Sequence, residues 1–255
     1  MVVDFGKTAE DYAIHRAGFP PSLYSTLTRC GIDVGGKRVV DLGTGTGTLA
    51  RGFAARGAHC IGIDPAAPML DQARALATRD GVAVEFRIGK AEATCLPDAS
   101  VDLVSAGQCW HWFDRERAAH ECRRILVPGG IVLIAHFDWI PLPGNVVEAT
   151  EQLIKAHNPT WRFDGGNGVY GRWLTDLGAA GFVHLESLSY DEFPAYSHEA
   201  WRGRVRASAG IAASLDADAV ARFDAAHAAL LQDRFPENPL RVHHRVWLGI
   251  GRRPL

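Results

Sequence analysis

The feature that most constrains what this chain folds into is the fifteen-residue run Val39–Phe53, VVDLGTGTGTLARGF. Arg38–Leu42 is a short β-branched strand. It passes directly into Gly43-Thr44-Gly45-Thr46-Gly47 and then into a helix over Thr48–Arg56, with Gly57 suited to its C-terminal stop. Glycine allows backbone conformations and close approaches that a Cβ would block. About 20 residues on, a second strand, Cys60–Ile63, ends at Asp64, where open α/β sheets place an acid toward ribose hydroxyls. The order strand, glycine loop, helix, strand, acid points to a nucleotide-like ligand. The competing reading is a tight strand-to-helix turn beside a packing aspartate.

The spacing narrows the ligand. A dinucleotide loop reads G-x-G-x-x-G, its third glycine letting helix and strand pack closely. Here the pattern is G-x-G-x-G, and Thr48 stands at the sixth position. Asp41 precedes the first glycine by two residues. An acid there accepts a hydrogen bond from an amine and repels a pyrophosphate. The loop suits a zwitterionic amino-acid tail.

Strand and helix signals keep alternating beyond it. A helix is expected over Ala67–Arg79, strands over Val84–Ile88 and Val101–Ala106, and a helix over Arg115–Leu126. Pro128-Gly129-Gly130 reads as a tight turn into a fifth strand, Ile131–His136. This is a doubly wound α/β pattern, a parallel sheet with helices on both faces. The stretch from Asp138 to about Gly171, rich in Trp, Pro, Gly and Asn, reads as an insertion. A short helix follows over Trp173–Ala180, then a strand near Val183–Tyr190, helices over Ser197–Arg206 and Asp216–Asp233, and a last strand over Val242–Gly251. The expected organisation is a core over 1–136 with an N-terminal lid. Segments 137–171 and 191–238 form a helical cap, and 172–190 and 239–255 complete the sheet.

Composition excludes several alternatives. The net charge of −2 gives no electrostatic footprint for nucleic acid. No apolar run reaches the ~18 residues of a membrane span, and the charged start lacks a signal peptide's apolar centre, so the cytoplasm is expected. The five cysteines form no C-x-x-C pair, and no metal site is read. No tyrosine has a lysine four residues on, as a short-chain oxidoreductase would require.

Together these motifs resemble class I S-adenosylmethionine (SAM)-dependent methyltransferases, in particular the small-molecule branch with trans-aconitate methyltransferase-like proteins. VVDLGTGTG is similar to the family's first motif, which sets Asp41, Gly43, Thr44, Gly45 and Gly47 at the cofactor. GIDPAAPML, Gly62–Leu70, is similar to the second, with Asp64 as the ribose acid and Pro65 and Met69 beside it. KAEATCLP, Lys90–Pro97, resembles the adenine-side motif, with Ala91 and Glu92 flanking the base. SVDLVSAGQCWHWFD, Ser100–Asp114, resembles the fourth strand and its loop, bringing Gly107 and Gln108 to the cofactor. DYAIHRAGFP, Asp11–Pro20, resembles an N-terminal element in which Tyr12 and Arg16 close over it, with Phe19 where an aromatic hydroxyl often sits. The resemblance implies a seven-stranded sheet with an antiparallel last strand, SAM as cofactor and S-adenosylhomocysteine as product.

The loop after the fourth strand carries His111, the best-placed general base by sequence because an imidazole titrates near neutrality. The other reading makes it a structural element beside the cofactor. Trp110, His136, Trp139 and Tyr170 are candidates for the acceptor pocket; the competing readings are core packing under the loop for Trp110 and a satisfied polar residue at a strand end for His136. Arg202 joins them, because Arg202 and Arg206 lie four apart on one helical face and can meet a carboxylate together; the competing reading is a solvated basic face. The expected function is methyl transfer to a small-molecule acceptor by in-line displacement, O- or N-methylation favoured. The alternative is a non-catalytic SAM-binding regulatory or partner protein.

Overall fold

The structure is a computed structural model and describes residues 18–212 and 214–255. In chain order it contains α1 (Pro21–Arg29), β1 (Arg38–Leu42), α2 (Thr48–Ala54), β2 (His59–Asp64), α3 (Ala67–Arg79), β3 (Val84–Ile88) and β4 (Val101–Gly107). A one-turn 3-10 helix (Trp110–Trp112) leads to α4 (Arg115–Ile125), β5 (Leu126–Trp139) and α5 (Val146–His157). Then follow α6 (Trp173–Ala179), β6 (Val183–Glu192), β7 (Ala195–Tyr196), α7 (His198–Arg206), α8 (Ala217–Arg234), β8 (Leu240–Arg241) and β9 (His244–Arg252).

Seven strands form one sheet in the order β3-β2-β1-β4-β5-β9-β6. β1 is central and buried from Val39 to Leu42, as expected of a parallel strand covered on both faces. It runs parallel to β2, with Asp41 opposite Gly62, and to β4, with Asp41 opposite Ser105. β2–β3 and β4–β5 are parallel as well. β9 is antiparallel to β5. The Arg253 amide, just after β9, donates to Gly130 near the start of β5, while the Ile140 amide, just after β5, donates to His243 just before β9. The expected mostly parallel seven-stranded sheet with one antiparallel strand is therefore the observed fold. The chain direction across the sheet reverses between β1 and β4. Their C-terminal ends flank the crevice where open α/β sheets bind ligands.

Two local expectations need correction. Pro128-Gly129-Gly130 is not a turn before the strand; β5 begins at Leu126 and passes through it. Gly129 takes a left-handed φ of 76° and the β4–β5 register shifts between Val101 and Leu103, so the segment is an irregularity in the ladder. A Cβ on Gly130 would stand 2.8 Å from the Val127 carbonyl. Second, the insertion holds the twelve-residue helix α5. Its start is written in the sequence as a capping box. The Asn145 side chain accepts from the Glu148 amide, and Glu148 reaches back to the Gly144 amide.

The chain divides into two compact units. One contains the described residues of 18–137, 170–189 and 246–255, the other those of 138–169 and 190–245. The first is packed around Trp110, Trp173, Trp247, Ile134 and Leu177. The second has its own core of Trp161, Trp201, Phe223, Leu231 and Val242. Asp114, Asn145, Ser197 and Asp216 cap α4, α5, α7 and α8 with side-chain oxygens, each worth about 1 kcal/mol.

Candidate active site

β1 carries Asp41 to one residue before its end, where the side chain is only 2 % exposed. Its carboxylate accepts from Thr44 Oγ1 at 2.6 Å and from Ser105 Oγ at 2.7 Å. Burial pushes its pKa up to about 6, against the opposing pull of these two hydroxyls and the Ala50 amide. Ser105 was not among the sequence candidates. A hydroxyl in the otherwise apolar run Leu103–Ala106 is the signal that could have marked it.

The glycine loop is shaped by both conformation and space. Gly43 and Gly47 have φ of 59° and 77°. A Cβ on Gly43 would stand 2.9 Å from Cys109 Sγ, and one on Gly47 would stand 3.0 Å from the Phe86 ring. Asp64 ties the loop to β2. One carboxylate oxygen accepts from the Gly45 amide and the other from the Ala66 amide, both at 2.9 Å. Burial raises its pKa while the two amides oppose. Each oxygen keeps a second acceptor position, so an acid anchored in this way can still receive hydroxyl donors. Met69 is buried beside the loop, its Cε 3.3 Å from where a Cβ on Gly45 would lie, and Pro65 is exposed.

The segment after β3 brings Ala91 in buried and Glu92 half-buried. Glu92 accepts from the Asp114 amide at 2.9 Å. Glu121 of α4 accepts from both the Thr94 amide and Thr94 Oγ1 and is paired with Arg124. These hydrogen bonds and the arginine draw its pKa down to about 2 against burial.

Gly107 ends β4, and Gln108 comes next with a left-handed φ of 57°. The side-chain amide of Gln108 donates to the Phe137 carbonyl. The next residues diverge in role. Trp110 is fully buried in the core, its Nε1 donating to Asp176 at 3.2 Å, so the structure gives it no surface to offer an acceptor. His111 is exposed, with ring centroids 4.6 Å from Trp112, 5.7 Å from His136 and 6.4 Å from Trp173. His136 is buried against Tyr170 and Trp173, which stack 4.0 Å apart.

Trp139 and Arg202 belong to the other unit. Trp139 Nε1 donates to Glu151 at 2.8 Å, and Arg204 lies over the Trp139 ring. Arg202 and Arg206 do meet one carboxylate, but it is the chain's own Asp224, on α8. That ion pair draws Arg202 inward instead of leaving it to a ligand. Tyr12 and Arg16 lie outside the described residues. Among the described residues no cluster of three metal-ligating side chains occurs, and no helix is long and apolar enough to cross a membrane.

Residues 40–134 match a methyltransferase domain. An uncharacterized methyltransferase of Mycobacterium tuberculosis is 39% identical over 130 residues, 51% of this chain and 50% of that protein. An uncharacterized methyltransferase-like protein of Schizosaccharomyces pombe is 34% identical over 190 residues, 73% of this chain and 70% of that protein. The chain belongs to the class I methyltransferase family. Its cofactor is SAM. The fold agrees with that of phosphoethanolamine N-methyltransferase 2 of Haemonchus contortus in complex with SAM. The two are 20% identical with a TM-score of 0.58, over 98% of this chain and 57% of that one. The chain spans about half the length of the first curated relatives it matches.

Proposed function

We propose that this protein is a SAM-dependent methyltransferase of the small-molecule branch, trans-aconitate methyltransferase-like, acting in the cytoplasm on an oxygen or nitrogen of its acceptor and not on nucleic acid. The observation that carries the reading is the web at the crevice. Asp41, Thr44, Gly45 and Asp64 are linked through one glycine loop, and the two acids are held in place by hydroxyls and main-chain amides. Neutral partners leave a carboxylate's charge uncompensated, which favours a ligand bringing an ammonium to Asp41 and hydroxyls to Asp64. A diphosphate lying on the glycine loop would be repelled by Asp41.

SAM supplies, when bound, a methyl group on a positively charged sulfur, activated for displacement. The chain's contribution is positioning, worth up to about 7–11 kcal/mol where reactants are held in near-attack geometry. In this reading Asp41 and the Gly43–Gly47 main chain hold the amino-acid tail. Asp64, with Pro65 and Met69 beside it, holds the ribose, and Ala91 and Glu92 flank the adenine. The exposed imidazole of His111 takes the acceptor's proton where the acceptor has one to lose. His136 and Tyr170 back that imidazole. Trp110 and Arg202 are left out of the acceptor set, because the core and Asp224 already engage them.

The test is calorimetric titration with SAM, S-adenosylhomocysteine and NADPH, with Asp64→Ala as control. Binding of the first two, lost in the variant and not seen with NADPH, is the expected result. A protein that binds NADPH and neither sulfur ligand overturns the reading. Radiolabelled methyl transfer to a panel of hydroxylated and amino acceptors then tests turnover.

A further inference from the structure

Gln108 is held in a backbone conformation that non-glycine residues rarely adopt, φ 57°, immediately after β4. Such outliers persist only where the surroundings over-determine them, and they concentrate at functional sites. The surroundings here are two bonds to one strand. The Gln108 main-chain amide donates to the Ala135 carbonyl at 2.8 Å, and its side-chain amide donates to the Phe137 carbonyl. Ala135 and Phe137 are two residues apart on β5, which is the repeat of the parallel ladder whose last backbone pair is Gly107 with Ala135. The side chain therefore adds one rung after the main chain has turned away.

That rung fixes the residues on either side of the crevice. Cys109 donates from Sγ to the Leu42 carbonyl at 3.1 Å and packs against the Gly43 main chain, 2.9 Å from where a Cβ would stand. Phe137 is the neighbour of His136, whose ring lies 5.7 Å from that of His111. Gln108 thus stands between the glycine loop and the imidazole pair. Its amide is directed at protein main chain.

On the reading of this edge as the methyl-transfer site, we propose that Gln108 is a positioning residue that registers the His136 end of β5 with the glycine loop. It does not act as a cofactor ligand. Glutamate is isosteric but sets an oxygen against the Phe137 carbonyl. Glycine suits the φ but has no amide. Asparagine keeps the amide and falls one methylene short.

The experiment uses the full chain, 13C-labelled at the histidine rings, with S-adenosylhomocysteine as probe. The His136 signal is assigned from the spectrum of His136→Asn. In the wild type, adding the probe shifts that signal. In Gln108→Glu and Gln108→Gly the shift falls to roughly a third or less, while calorimetric affinity stays within about threefold, under 1 kcal/mol. Gln108→Asn lies between them and the wild type. Should Gln108→Glu fail to fold, Gln108→Gly carries the test, since it relieves the backbone strain. A loss of affinity of about tenfold or more in both variants makes Gln108 a cofactor contact and overturns the proposal. An undiminished His136 shift overturns it as well. A wild type that binds no S-adenosylhomocysteine refutes the underlying reading of the site, which is a different outcome from failure of the strap.

Discussion

Asp41 and Asp102 lie on adjacent parallel strands, β1 and β4, at opposite ends of the strand pair. Asp102 stands near the start of β4 and receives the Arg38 guanidinium in a two-pronged bond, as well as the Arg38 amide. Its pKa is lowered, chiefly by that side-chain bond. Asp41 stands near the end of β1, buried, with hydroxyl partners and a pKa pushed up to about 6. One end neutralises its charge with a fixed partner. The other keeps a carboxylate where burial opposes its charge. Strain of this kind marks the functional edge better than the residue type does, since both residues are aspartates.

The largest expected effect breaks the comparison at a glycine. Gly43→Ala forces a left-handed residue and drives a methyl onto Cys109 Sγ. The rate of methyl transfer should fall about 100-fold or more, the loss expected when positioning groups move by about an ångström, and affinity for S-adenosylhomocysteine should fall with it. Gly36 has a similar φ of 67° but no atom within 4 Å of its would-be Cβ. Gly36→Ala should cost about 1 kcal/mol of stability and leave affinity unchanged. Titration of both variants decides it; equal affinities would remove the distinction between the two ends.

Asp41→Asn should next split stability from binding. A group whose folded pKa lies above its unfolded value contributes stability below the unfolded value and loses it as pH rises through the folded one. From 3.8 in the unfolded chain to about 6 in the fold, the loss from Asp41 is on the order of 3 kcal/mol. The amide variant should therefore melt higher than the wild type at pH 8 and match it near pH 4, while binding S-adenosylhomocysteine at least about tenfold more weakly. Wild-type affinity should itself weaken below pH 6, as the carboxylate is protonated. Unchanged melting at pH 8 would show that Asp41 is not held against its preference.

Much of this edge was legible in the sequence, because its determinants are local. β1, the three glycines and Asp64 follow one another within 27 residues, and each has a backbone reason to be where it is. What was missed depends on partners far along the chain. Trp110 stood open between pocket and core by sequence, and Asp176, 66 positions on, decides it by taking its indole. Arg202 and Arg206 could meet a ligand's carboxylate or form a solvated basic face by sequence; they meet Asp224 instead, and spacing on α7 cannot reveal that α8 supplies it. Helix α5 was a different failure, since the box Asn145–Glu148 stood in the sequence amid a composition that reads as loop.

Glu121 tests whether pairing decides the direction of a shift. It lies on α4 and anchors the Thr94 segment on the functional side, yet its pKa is drawn down to about 2. A depressed folded pKa adds stability above the unfolded value, near 4.5, and loses it as pH falls through about 2. Glu121→Gln should cost about 1–2 kcal/mol at pH 7, allowing for solvent screening of the Arg124 pair. Chemical denaturation at pH 7 and pH 2.5 measures this; the gap between variant and wild type should narrow at the lower pH. A gap that widens instead would mean that Glu121 opposes the fold when charged.

The smallest effect belongs to Asp102, and it makes the comparison quantitative. Its bond to Arg38 has good geometry, with contacts of 2.9 and 3.0 Å, but half of the arginine side chain is open to solvent. Water and salt screen such a pair, and ordering the arginine offsets part of the gain. Asp102→Asn should thus cost less than about 1 kcal/mol, less still at high salt. Affinity for S-adenosylhomocysteine should not change, since the carboxylate faces the N-terminal ends of the strands. The same chemical change, one oxygen to one amide nitrogen, is then expected to stabilise at Asp41 and weaken binding, while at Asp102 it destabilises slightly and leaves binding alone. Melting and titration of the two variants side by side read both signs at once. If Asp102→Asn lowered affinity as much as Asp41→Asn, the ligand site would not be confined to the edge where the strands end.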